Sequence, residues 1–200
     1  MTVPDGGPPK RIVLASASPR RHELLSQIGV SFTVRAPHID ETPMECEPAV
    51  AYVCRLASAK AAAVPAASDE LIIAADTTVE IDATILGKPR DESDAASMLR
   101  RLSGRTHRVH TGVAVSCEGQ PHVDVCTTMV TFVALDEAMI QWYLATGEPF
   151  GKAGSYAIQG AGAALVARVD GSVSNVIGLP LHLAIDLARG SGVDLLAMPG

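Results

Sequence analysis

Short apolar runs punctuate this chain, separated by stretches with the rhythm of amphipathic helices. The first run, "IVLA" at residues 12–15, predicts a buried strand over 11–15. Residues 19–28 follow as a helix, opened by Pro19 and stopped by Gly29. A second strand is expected over 31–35 and a polar loop over 36–47. Residues 48–64 predict a helix with Pro48 in its first turn. The run "LIIAA" at 71–75 is another buried strand, and 78–86 reads as a hairpin turning at Asp82 and Ala83. An amphipathic helix spans 91–102. Two long β-prone stretches, 105–117 and 122–133, are joined by a turn at Glu118 and Gly119. A helix is expected over 136–146, a strand over 162–169 and a closing helix over 180–189. This mixture predicts an α/β fold with parallel and antiparallel strands, in one domain with a cleft between two lobes.

Composition narrows the classes. The chain has 200 residues, 48% of them hydrophobic, which is ample for a core. No apolar run is long enough to cross a bilayer. The start, "MTVPDGGPPK", has no apolar core of a secretory signal and reads as a flexible tail over 1–10, with a single domain over 11–200. Cys46, Cys54, Cys117 and Cys126 show no C-x-x-C spacing and are expected as reduced cytoplasmic thiols. Cys117, His122 and Cys126 lack a fourth ligand and the usual zinc spacing. The formal net charge of −6, with no long basic run, argues against nucleic acid as a partner. A small anion needs only a local cluster of cations, and Lys60, Lys88 and Lys152 all fall in or near segments of chemical interest.

The segment "IVLASASPRRHELL" poses a question, because it puts Arg20 and Arg21 at the already electropositive start of a helix. With Ser18 as N-cap and Pro19 at the first helical position, free N–H groups, the Ser16 and Ser18 hydroxyls and two guanidinium forks suit a polyanion. A solvated helix start whose arginines point away is the plain alternative. In "LIIAADTTVE", a buried strand is expected to deliver Asp76 at its end, where a carboxylate orients a water, holds a divalent metal or simply caps a turn. "GKPRD" projects Lys88 from a defined loop, and "HIDET" sets Asp40 beside Glu41 in another. In "KAGSYAIQGAG", the Gln159 amide offers a donor and an acceptor together, which suits the edge of a base.

Two stretches imitate nucleotide motifs without meeting them. "GEPFGKAG", residues 147–154, has three residues between its glycines where a P-loop has four, and Ala153 where Ser or Thr is needed. "GAGAAL", residues 160–165, ends in Leu165 and precedes a strand candidate instead of following one. No G-x-S-x-G elbow or H-E-x-x-H helix is present.

Taken in order, "LASASPRRHELL", "AADTTV", "GKPRD", "LSGRTHRVHTGV", "KAGSYAIQG" and "GSVSNVIGLPL" resemble the Maf family of nucleotide pyrophosphatases, also called septum formation inhibitor proteins. The resemblance implies a mixed, twisted sheet flanked by helices, with a deep nucleotide-binding cleft between two lobes, like that of inosine triphosphate pyrophosphatases. It implies hydrolysis of a nucleoside triphosphate between the α and β phosphates, a divalent cation (magnesium, manganese or cobalt) and a homodimer. Asp76 matches the family's proton acceptor. Ser16, Arg21, Lys60 and Lys88 match polar and cationic positions toward the phosphates, and Glu41 an acidic position near the metal, which Asp76 also serves. Arg20, Thr77 and Gln159 stand where the dTTP/UTP branch has its base-specificity residues. Clearance of non-standard pyrimidine nucleotides is one purpose consistent with that branch; a non-catalytic regulator of cell division is the rival from another class. Ser155 and Ala157 depart from the family pattern of Ala and Gly, which matters for Ala157 if the position needs a positive φ.

Overall fold

The computed structural model describes residues 10–117 and 119–197; the expected tail, apart from Lys10, and Glu118 of the expected turn lie outside them. The framework is one mixed sheet. Its strands are β1 (Arg11–Leu14), β2 (Phe32–Val34), β3 (Glu70–Ile81), β4 (Thr84–Leu86), β5 (Thr106–Cys117), β6 (Gln120–Phe132) and β7 (Val166–Asp170). They lie in the order β2-β1-β3-β5-β6-β7, with β4 paired to β3. β1 pairs in parallel with both β2 and β3, and every other pair is antiparallel. The helices are α1 (Pro19–Gln27), α2 (Ala49–Ala62), α3 (Glu92–Leu102), α4 (Glu137–Ala145), α5 (Val173–Ile177) and α6 (Leu181–Gly190).

The core divides along the long strands. At one end Leu14, Leu71, Ile73 and Val113 pack against Leu24 and Leu25 of α1 and Ala184 and Ala188 of α6. The opposite face there carries Val13, Ile72, Ala74 and Ala114 under Ala57 and Ala61 of α2. At the other end Val79, Ile81, Val109 and Phe132 meet Leu99 and Leu102 of α3 and Ile140 and Tyr143 of α4. Between the two cores β3 passes through Asp76, Thr77 and Thr78. These two apolar centres on a shared sheet are the two lobes expected, and the polar step between them floors the cleft.

Several expectations are corrected. β3 does not end before Asp76 but continues to Ile81, because β5 pairs with it residue for residue from Leu71 to Glu80. Residues 160–165 form a 3-10 helix, and the strand begins only at Val166. Pro48 lies at the N-cap of α2, one position before its first turn. Helix α5, of five residues, has no counterpart in the sequence reading. The backbone with positive φ in "KAGSYAIQG" is at Gly154 (68°), Ser155 (61°) and Gly160 (68°), while Ala157 is not among the residues with positive φ. The hairpin turn at Asp82 and Ala83 is as expected, both with φ above 50°. All four cysteines are free. No helix among the described residues is long and apolar enough to span a membrane.

Candidate active site

Asp76 sits mid-strand, buried, on the face of β3 that α2 covers. Its register partner on β5 is Gly112, where an added Cβ would fall 2.4 Å from the Val53 carbonyl oxygen of α2. Only glycine admits a helix so close to the sheet. That approach brings Lys60 of α2 down to Asp76, with Nζ 2.6 Å from Oδ1. The same ammonium lies 2.6 Å from Oε1 of Glu41, whose other oxygen accepts from Lys88 at 3.3 Å. Two cations and two carboxylates therefore form one chain, Lys88–Glu41–Lys60–Asp76. Burial pushes the Glu41 carboxyl up, but the two lysines outweigh it and hold the group below the usual carboxylate range. The loop that carries Glu41 is tied down by Arg55, which grips Glu47 with two bonds of 2.6 Å and donates to the Thr42 carbonyl at 3.2 Å. Tyr52 donates to the Glu41 carbonyl at 3.0 Å. Burial, then the Asp76 and Glu41 charges, push its hydroxyl up to about 12.

The paired arginines have their answer at the other end of the chain. Arg21 is buried and donates from Nε to the Gly178 carbonyl (2.7 Å), and from its two terminal nitrogens to Ser16 Oγ (3.1 Å) and Thr77 Oγ1 (3.1 Å). Arg20 donates from Nε to the Ile177 carbonyl at 3.3 Å. Both guanidiniums thus meet carbonyls at the end of α5, where a helix presents unpaired acceptors. The repulsion at the start of α1 is offset by the acceptor end of a second helix. Ser18 occupies the N-cap of α1, but its hydroxyl makes no capping bond. Ser16 Oγ instead accepts from the Ser18 N–H at 3.2 Å. Thr77 is enclosed on three sides, by Arg21, by the Thr111 hydroxyl at 2.9 Å and by the Gly178 carbonyl at 3.4 Å.

These groups line one cavity of about 510 Å³, closed on its far side by Tyr156, Ala157, Ile158 and Gln159. All nine residues matched to the family's site border it, as do Ser18 and Lys152, whereas Asp40 does not line it. Gln159 is exposed, and no side-chain bond ties its amide to the described residues. Arg21 and Thr77 each have three protein partners, which makes them braces of the wall. Lys60 and Asp76 engage each other, leaving Asp76 Oδ2 for water. Sequence reasoning missed Tyr52 and the carbonyls of Ile177 and Gly178. For the latter the signal was the segment "GSVSNVIGLPL", which was recognised without a role.

The donor set fits a divalent cation of one kind. Among the described residues no cluster of three or more His, Cys, Asp or Glu side chains could hold a metal unaided. Asp76 and Glu41 offer two carboxylates beside an open cavity, the arrangement of a magnesium-like ion that completes its shell with phosphate oxygens and water.

A family model described as "Maf-like protein" matches residues 11–190. The chain is 53% identical over 185 residues to a dTTP/UTP pyrophosphatase of Myxococcus xanthus (strain DK1622), covering 92% of this chain and 94% of that protein. It is 51% identical to one of Anaeromyxobacter dehalogenans (strain 2CP-C), covering 92% and 96%. To one of Methylobacillus flagellatus it is 48% identical, covering 95% and 96%.

Proposed function

The chain belongs to the Maf family, and from that premise we propose that it is a nucleoside triphosphate pyrophosphatase acting on dTTP and UTP. Water adds to the α-phosphorus, the bond to the bridging oxygen of the β-phosphate breaks, and a nucleoside monophosphate and pyrophosphate leave. The observation that carries this reading is the sharing of about half of all residues, over nine tenths of the chain, with relatives that bear that name.

Asp76 is the proton acceptor. Lys60 fixes Oδ1, so Oδ2 takes the proton of the attacking water. Lys60 and Lys88 receive the phosphates, which replace Glu41 as their anionic partner. Arg21 lies beneath the same phosphates and holds Ser16 and Thr77 in place. Arg20, Thr77 and Gln159 face the base. A uracil or thymine edge presents acceptors flanking one donor, which an arginine and an amide satisfy together. Asp76 and Glu41 would hold the divalent cation, which when bound neutralises charge on the phosphates.

The reading extends to a cytoplasmic homodimer that removes non-standard pyrimidine triphosphates; sedimentation and a modified pyrimidine triphosphate test those two parts. The main test is product analysis with magnesium or manganese on dTTP, UTP, CTP, GTP and 7-methyl-GTP. Monophosphate and pyrophosphate from dTTP and UTP alone are expected. Released phosphate, or binding without cleavage, would point to a phosphatase or to a regulator.

A further inference from the structure

The two stretches that imitate nucleotide motifs grip each other. Glu148, from "GEPFGKAG", accepts from the N–H groups of Ala161 (2.8 Å to Oε1) and Gly162 (3.1 Å to Oε2) in "GAGAAL". The buried Tyr143 hydroxyl accepts from the Ala157 N–H at 3.1 Å and interacts with the same carboxylate. One set of contacts therefore holds Ala157 at one end and Ala161 and Gly162 at the other. It brackets Ile158 and Gln159, the only two cavity-lining positions it encloses. The packing is tight enough to demand both glycines: a Cβ at Gly160, where φ is +68°, would lie 2.3 Å from Glu148 Oε1, and one at Gly162 would lie 2.1 Å from the Ala157 carbonyl oxygen. Lys152 also donates to the Glu148 main-chain carbonyl, fixing the loop on which the carboxylate rides.

We propose that Glu148, acting through Ala161 and Gly162, positions Gln159 and thereby sets the base selectivity of the cavity; this rests on the pyrimidine triphosphate reading above. The Gln159 amide has no bond of its own to hold it toward the base. Its aim comes from the backbone on either side, and Glu148 and Tyr143 fix that backbone. The two N–H groups in turn hold the Glu148 carboxyl below the usual carboxylate range, so it stays an acceptor at neutral pH.

The test is a double-mutant cycle of Glu148→Ala and Gln159→Ala, read as kcat/KM for UTP and for GTP. Glu148→Ala is expected to lower the UTP-over-GTP ratio by about tenfold, the scale of one charge-assisted bond lost. The loss should appear in KM more than in kcat, and adding Gln159→Ala should change the ratio little further. Glu148→Gln, which keeps one acceptor, should fall between. An unchanged ratio, additive effects, or equal loss for both nucleotides would overturn the proposal. If Glu148→Ala does not fold, Tyr143→Phe carries the same cycle, because it keeps the ring and removes only the hydroxyl that meets Ala157 and Glu148. Dissociation constants for UMP and GMP read the same coupling without turnover. A wild-type protein that binds with selectivity but does not cleave overturns the function and leaves this proposal standing; one that does neither overturns both.

Discussion

The Lys60 ammonium lies 2.6 Å from Asp76 Oδ1, and both side chains are about nine-tenths shielded from water. A buried pair of this kind couples stability to chemistry, since neither partner can be removed without stranding the other's charge. Lys60→Ala should therefore destabilise the fold by about 3 kcal/mol. Lys88, exposed and paired only with Glu41 at 3.3 Å, should cost less than about 1 kcal/mol when cut to alanine. Urea denaturation of both variants checks the contrast. Both should raise KM, so the lysines separate by stability and not by substrate affinity.

Asp76→Asn keeps an oxygen for Lys60 and loses the base. Turnover of UTP should fall by about a thousandfold, while the urea midpoint falls less than in Lys60→Ala, because Glu41 at 2.6 Å still pairs the ammonium. Pyrophosphate release measured beside the unfolding curve decides it; retained turnover would remove Asp76 from the role of proton acceptor.

Gly112→Ala places a methyl where the Val53 carbonyl already stands, 2.4 Å away. Helix α2 must lift, at a cost of about 2 kcal/mol or more. Because Lys60 rides on that helix, activity should drop as well, although Gly112 touches no substrate. Circular dichroism melts and steady-state kinetics on one preparation test both halves.

Base preference should respond at the other wall. Arg20→Trp or Gln159→Glu is expected to lower the preference for UTP over GTP by about tenfold or more while both remain substrates. Competition between the two nucleotides in one assay reports the ratio directly. Equal losses for every nucleotide would contradict the assignment.

Acid should act first through His107. Burial lowers its pKa from 6.5 to about 4, and its Nε2 is engaged with the Tyr156 hydroxyl at 2.8 Å. The unfolded chain takes up the proton below about 6.5 and the folded chain only near 4. Stability is thus intact above pH 6.5 and lost as the pH falls toward 4, by about 3 kcal/mol in all. Glu70, held at about 2 by the two-bond grip of Arg35, keeps its full contribution above 4.5 and loses it only as the pH falls from there toward 2. Denaturation at pH 7, 5 and 4 should show the loss, and His107→Gln should flatten it.

What could be read along the chain was what local chemistry decides. Pro19 and Gly29 bracket α1, and Asp82 and Ala83 turn the β3–β4 hairpin, because those conformations depend on few neighbours. The course of β3 through Asp76, Thr77 and Thr78 was hidden, since the apolar run stops there and the pairing that continues it comes from β5. Residues 160–165 are apolar enough for a strand, yet Glu148 captures their N–H groups and bends them into a 3-10 helix. Local chemistry singled out Arg20, Arg21, Asp76, Lys88 and Gln159, and resemblance to a family supplied their roles. The Lys60–Asp76 contact depends on how closely a helix rides over a strand, which no spacing rule contains.

The arginine latch spans 157 positions, from Arg20 to Ile177 and from Arg21 to Gly178. Synthesis runs from the other end. A nascent chain that has released α1, α2 and the long hairpin already owns both guanidiniums, Asp76, Lys60 and Lys88, with Ser16 and Thr77 to accept from Arg21, and still lacks the two carbonyls that take the Nε of each arginine. The wall of the pocket therefore closes as a late event in the life of the chain, after residue 178 has left the ribosome, together with the packing of α6 on the sheet.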